Sequence, residues 1–211
     1  LMVVAIPFAG WLGELNRQVH FSASADKWMK DGEAEAGAIM KMMLNKNSVK
    51  DLFINFFVVA LLAGVGEELV FRGILQRLFI RWFKNAWAGI IITAVLFSAI
   101  HMQFYGFLPR MALGILLGAI YFYSGSLWAA ILAHFFYDAL ILTIIHFNPA
   151  QMESDSPALT NSPVATAVVG LISLILSIVI IWYMKKKSDV KYNDIYKNDN
   201  HDYNNPFEFE K

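Results

Sequence analysis

Residues 52–75 read LFINFFVVALLAGVGEELVFRGIL. From Leu52 to Gly66 there is no charged side chain, and then Glu67, Glu68 and Arg72 arrive within the same apolar run. An apolar run of about 18 residues or more can cross a bilayer as a helix. A bare charge at the centre of such a helix costs roughly 2.5–3.5 kcal/mol on insertion scales, so each of the three needs a partner or a purpose. Glu68 and Arg72 stand four apart, stacked on one helical face, and can pair. Glu67 lies about 100° round the helix from Glu68 and has no partner on its own helix. A structural knot would account for the pair; Glu67 points to function.

The rest of the chain supports the membrane reading. Its 211 residues are 57% hydrophobic and 16% charged, with a mean hydropathy of +0.49. Such a chain lacks the polar surface to cover a soluble domain. The expected fold is therefore all-α, a polytopic transmembrane helix bundle of about five complete spans plus a partial N-terminal one. The spans are expected near 51–76, 85–105, 108–123, 127–147 and 164–184. Residues 1–13 read as the end of a further helix. Residues 14–50 read as an external loop carrying an amphipathic helix, with Trp28, Ile39, Met42 and Met43 on its apolar side. The membrane core and final span then cover 51–184, and 185–211 reads as a polar, disordered cytoplasmic tail.

Basic residues set the orientation. Arg77, Arg81 and Lys84 after the first full span, and Lys185, Lys186 and Lys187 after the last, fall on one side of the membrane by parity, whereas residues 148–163 carry no Lys or Arg. By the positive-inside bias the basic ends are cytoplasmic, in a multi-pass protein of the cell (inner) membrane. The lipid bilayer is thus one expected partner. With zero net charge and no long basic run, nucleic acid is not. The absence of cysteine removes disulfides, thiol nucleophiles and thiolate metal sites.

Two more groups join Glu67. LFSAIH places Phe97 and His101 at i, i+4 near the end of the second full span, and AHFFYDAL does the same for His134 and Asp138 on the fourth. Lone histidines near helix ends are usually interface residues, and His20 and His146 read that way; His201 lies in the tail. Two histidines and two carboxylates on three spans form a set. His101 would lie nearer one membrane face than Glu67 and His134 unless its helix is tilted or longer. Such a set supports peptide hydrolysis by an activated water with a base and an oxyanion stabiliser. Two histidines and a carboxylate are equally a zinc shell with an open position. Ser98 reads as a helix serine bonded back to its own carbonyls rather than a nucleophile. Gly114 and Gly118, with Gly64, Gly66 and Gly73, read as sites of close helix approach. Arg110 reads as an interface residue whose charge snorkels outward, with a substrate contact as the alternative.

In order, Glu67-Glu68-x-x-x-Arg72, Phe97-x-x-x-His101 and His134-x-x-x-Asp138 resemble the three motifs of the CPBP intramembrane protease family. That family includes the CAAX prenyl endopeptidases and the bacteriocin-processing or self-immunity (Abi) proteins, and SGSLW at 124–128 resembles its bacterial members. The resemblance covers about 51–147. It implies an intramembrane endopeptidase acting on a peptide or membrane-protein segment, with Glu67 activating water beside His101 and with Glu68 and Arg72 holding the site. His134 and Asp138 would stabilise the oxyanion or, in the metalloprotease description, join Glu67 and His101 around Zn2+. The family's last motif ends in asparagine or aspartate, and this chain carries Asp138 rather than asparagine; an ionised aspartate cannot donate to an oxyanion, which points Asp138 towards orienting His134 or binding metal. The competing expectation is a non-catalytic scaffold, an immunity protein or a proton-coupled transporter subunit using the same cluster structurally. No internal repeat of the kind secondary transporters often show is present.

Overall fold

The computed structural model describes residues 1–19, 21–44, 48–148 and 162–190. His20, His201, most of the 148–163 loop and the tail from 191 therefore lie outside the described residues. Among the described residues every regular element is helical. We number them α1 (Ile6–Arg17), α2 (Ala23–Leu44), α3 (Val49–Phe83), α4 (Ala86–Ile100), α5 (Phe107–Ser124), α6 (Leu127–Phe147) and α7 (Pro163–Lys187). The protein is a polytopic helical bundle: α3, α5, α6 and α7 are each long and apolar enough to cross a membrane, and α4 is a shorter apolar helix.

The helix ends follow local chemistry. Ser48 Oγ accepts from the Asp51 amide to start α3, and Asn85 Oδ1 accepts from the Ala88 amide to start α4. Between them Lys84 turns the chain in the left-handed region, φ 50°. Gly125, at φ 65°, closes α5 by donating to Tyr121 O, which suits a residue without Cβ. Helix α3 is one continuous element with two π-helical stretches, Phe56–Leu62 and Leu69–Gln76, flanking the α-helical turn that carries Glu67 and Glu68. Such wide turns often mark functional sites.

Two of these helices depart from expectation. The first full span was expected to end at 76, but α3 carries Arg77 and Arg81 on to Phe83 without a break. The second was expected over 85–105, but α4 is only 15 residues long and stops at Ile100. At 1.5 Å per residue it covers about 22 Å, short of the roughly 30 Å hydrocarbon core. Residues 101–106 follow it as a turn and a short 3-10 segment, Phe104–Gly106.

Packing runs inside out relative to a soluble protein. On α7, Thr166, Gly170, Ser173 and Ser177 are buried while Val164, Ile172, Ile175 and Ile178 face outward. Ser173 Oγ donates to Val4 O and accepts from the Phe8 amide, and Gly170 admits the Trp11 side chain, so α1 docks on α7. Small and hydroxyl residues inside with aliphatics outside is the pattern of helices solvated by lipid. Helix α2 forms as expected and leaves Ile39, Met42 and Met43 exposed, while Trp28 packs against Phe104. Gly114 and Gly118 do lie where helices approach closely: a Cβ at Gly114 would stand 3.1 Å from Ala94 Cβ, and one at Gly118 would stand 2.7 Å from Gln76 Oε1. Gly64 and Gly73 have room for a methyl, and Gly66 has nothing within 4 Å, so close approach does not account for that glycine.

Candidate active site

The α3–α4 hairpin removes the expected mismatch in depth. Glu67 precedes the turn at Lys84–Asn85 by nearly as many residues as His101 follows it, so antiparallel helices bring the two level. His101 sits at the C-terminal cap of α4, and its Nε2 lies 3.8 Å from Glu67 Oε1. Helix α6 delivers His134, whose Nε2 lies 3.8 Å from Glu67 Oε2 and 3.3 Å from Asp138 Oδ2. All six expected side chains, Glu67, Glu68, Arg72, His101, His134 and Asp138, thus share one cluster built from three helices. Glu67 and His101 remain partly accessible, whereas Glu68 and Arg72 are fully buried.

Beneath Glu67 lies a polar ladder. Glu68 Oε1 accepts from Arg72 Nη1 at 2.5 Å and from His134 Nδ1 at 2.8 Å. Arg72 Nη2 donates to Gly114 O at 2.9 Å, and one helical turn on Gln76 Nε2 donates to Gly118 O at 3.0 Å. Residues 72 and 76 on α3 therefore face residues 114 and 118 on α5 with the same four-residue step. Glycine leaves its helical carbonyl uncovered, which lets a side chain from the next helix add a second hydrogen bond. The Arg72 guanidinium also lies 4.7 Å from the centroid of the Phe97 ring. That ring in turn packs on edge near Phe71, His101 and His134.

The tautomers follow from these bonds. A carbonyl only accepts, so the 2.7 Å contact between His101 Nδ1 and Phe97 O puts a hydrogen on Nδ1. In the neutral ring His101 Nε2 is then a lone pair facing Glu67. His134 likewise donates through Nδ1 to the Glu68 carboxylate. Its Nε2 faces Asp138, and only the doubly protonated ring donates on both sides. Asp138 stands where it can orient His134. Gaps of 3.8 Å are too long for direct hydrogen bonds but suit a bridging water. His101, His134, Glu67 and Asp138 are residue types that ligate zinc. As placed, however, no three His, Asp or Glu side chains among the described residues form a group able to hold a metal ion.

Some residues lie elsewhere than expected. Ser98 does not bond back along its own helix; Oγ donates to Phe107 O at 2.7 Å and ties α4 to the start of α5. Arg110 does not reach outward: its guanidinium turns back to Gln103 O and Oε1. His146 stays at the end of α6, against Phe147. Gln76 escaped the sequence reading, although its step of four from Arg72 was visible in an otherwise apolar stretch.

Residues 49–140 match the family model described as type II CAAX prenyl endopeptidase Rce1-like, over the stretch that carries all three motifs. The match covers less than half of the chain. A curated relative, the uncharacterized protein YpbD of Bacillus subtilis (strain 168), is 28% identical over 131 residues, which are 60% of this chain and 62% of that protein. An uncharacterized 24.3 kDa protein of Escherichia coli is 30% identical over 103 residues, 47% of this chain and 48% of that protein. The chain thus spans between about half and three-fifths of the length of these relatives. No solved structure matches it significantly.

Proposed function

We propose, from the premise that residues 49–140 are an Rce1-like segment, that the protein is an intramembrane endopeptidase in which Glu67 and His101 activate the hydrolytic water. The observation that carries this reading is the partly accessible Glu67 carboxylate, set 3.8 Å from the Nε2 atoms of both His101 and His134. A water in the first gap would direct one hydrogen to Glu67 and the other to the His101 Nε2 lone pair. Its oxygen lone pair is then free to attack the substrate carbonyl carbon, and the water's proton passes to Glu67. The resulting oxyanion would share with Asp138 the Nε2 hydrogen of His134, which that atom carries when the ring holds both protons. Collapse of the tetrahedral intermediate breaks the C–N bond, and the proton held by Glu67 goes to the leaving amine. Glu68 and Asp138 hold His134 from its two sides, and Arg72 fixes Glu68. The substrate is a peptide or an unwound membrane-protein segment that can reach a site between helices.

Glu67→Gln keeps the size of the side chain but removes the base. Cleavage of a quenched-peptide library should fall by about 10²–10⁴-fold, with unchanged elution and melting in detergent. Cleavage at the wild-type rate would overturn the proposal. Metal content measured on the same samples decides the place of zinc. If stoichiometric zinc is found and is lost in His101→Ala and His134→Ala, those two histidines hold it.

A further inference from the structure

The turn that follows His101 is held by side chains of α1 and α2. Its backbone is demanding: Met102 sits at φ 56°, a conformation that a non-glycine residue keeps only when its surroundings enforce it. Irregular backbone at membrane depth also needs its polar groups satisfied by protein. Two side chains do this. From α1, Asn16 Nδ2 donates to Phe104 O at 2.6 Å, and its Oδ1 accepts from the Leu108 amide at 2.8 Å. From α2, Glu33 Oε1 accepts from the Tyr105 amide at 3.2 Å, and Oε2 accepts from Gln103 Nε2 at 3.4 Å. The contact of Trp28 with Phe104 reinforces the second attachment.

Glu33 differs from Asn16 in what its bonds lead to. Gln103 gives its amide N–H to Glu33 and accepts at Oε1 from Arg110 Nη2, 2.8 Å away. An amide between a carboxylate and a guanidinium has only one favourable orientation, because only its nitrogen donates and only its oxygen accepts. Glu33 thus orients Gln103, and Gln103 fixes Arg110, whose charge lies close enough to act on both His101 and Glu67.

We propose that Glu33, on the non-spanning helix α2, is a positioning residue for the Glu67–His101 site, acting through Gln103 and Arg110 and through the turn that follows His101. The proposal rests on the protease reading for its catalytic consequence but not for the attachment itself. It makes α2 part of the working site rather than a peripheral loop, although α2 lies outside the Rce1-like match.

The test uses the full chain in nanodiscs with Glu33→Ala, Gln103→Glu and the double exchange Glu33→Gln/Gln103→Glu. The double exchange rebuilds every bond with the roles reversed. The amide introduced at position 33 would accept from the Tyr105 N–H and donate to the carboxylate introduced at position 103, which would in turn pair with Arg110. Glu33→Ala should lower kcat by roughly tenfold or more, with KM changing less, as misplacement of a reacting group does. Gln103→Glu alone should do the same, because it sets two carboxylates face to face. The double exchange should recover most of the loss, which a general loss of stability would not. Amide exchange across residues 102–105 should quicken in Glu33→Ala and slow again in the double exchange. A double exchange no better than the worse single variant, or a Glu33→Ala protein with wild-type kcat and wild-type exchange, overturns the proposal. If no Glu67-dependent cleavage exists, exchange alone decides. Loss of protection then keeps the attachment and discards the protease reading, and unchanged protection discards both.

Discussion

Arg72 shows how one residue holds a buried site together. Its guanidinium meets Glu68, the Gly114 carbonyl and the face of Phe97 at once. Lysine cannot reproduce that set, being a point charge without a planar fork. Arg72→Met leaves Glu68 with His134 alone in a fully buried place, and breaking a buried pair from one side costs about 3–5 kcal/mol. Unfolding in mild detergent should show that loss, and a cost below about 1 kcal/mol would mean that water reaches Glu68. Glu67, one position earlier, carries no such structural burden, so Glu67→Gln should remove activity and leave stability unchanged. The Glu68–Arg72 pair was legible from spacing alone. The second carboxylate bond, from His134 to Glu68, was not, because it joins residues 66 apart in sequence.

Among the elements, the α3–α4 hairpin and the α3–α5 ladder set the site. Gly89 is the close contact of the hairpin: a Cβ there would stand 2.7 Å from the Ile80 backbone nitrogen, an atom that cannot swing away. Gly89→Ala should therefore destabilise by about 1–3 kcal/mol, as overpacking does. Gly66→Ala should do the reverse. With nothing within 4 Å of the new methyl, it should gain about 0.8–1 kcal/mol from helix propensity. Melting of the two variants side by side checks both signs; equal shifts would mean that helix packing near Gly89 is looser than the geometry requires. Helix existence was readable because the apolar runs are long, but the end of α4 was not. HMQF carries no glycine or proline to mark a stop after Ile100, and the attachments to Asn16 and Glu33 that hold the turn there come from distant parts of the chain.

For the whole molecule, parity of the helices gives a topology that labelling can read. Lys84 and Ser124 close hairpins at one end of the bundle, and Asn148 ends α6 at the other. The chain has no cysteine of its own, so Lys84→Cys, Ser124→Cys and Asn148→Cys each give a single label. In sealed vesicles an impermeant thiol reagent should reach the first two from one side and the third from the opposite side. The lysines at 185–187 predict that the first side is cytoplasmic. Labelling of Lys84→Cys and Asn148→Cys from the same side would break the assignment.

The sequence by itself determined that this is an all-helical membrane protein and which six polar residues cluster inside it. Hydrocarbon makes long apolar runs unmistakable and leaves every intramembrane charge in need of a reason. It also carried the resemblance that residues 49–140 bear out. Tertiary structure alone decided the depth of His101, the pairing of Arg72 and Gln76 with the glycine carbonyls of α5, the bond of Ser98 to Phe107 O and the hold of Glu33 on the turn. Each of these is a meeting between elements far apart in the chain or across a turn. Periodicity tells which face of a helix is polar; only packing tells what that face meets.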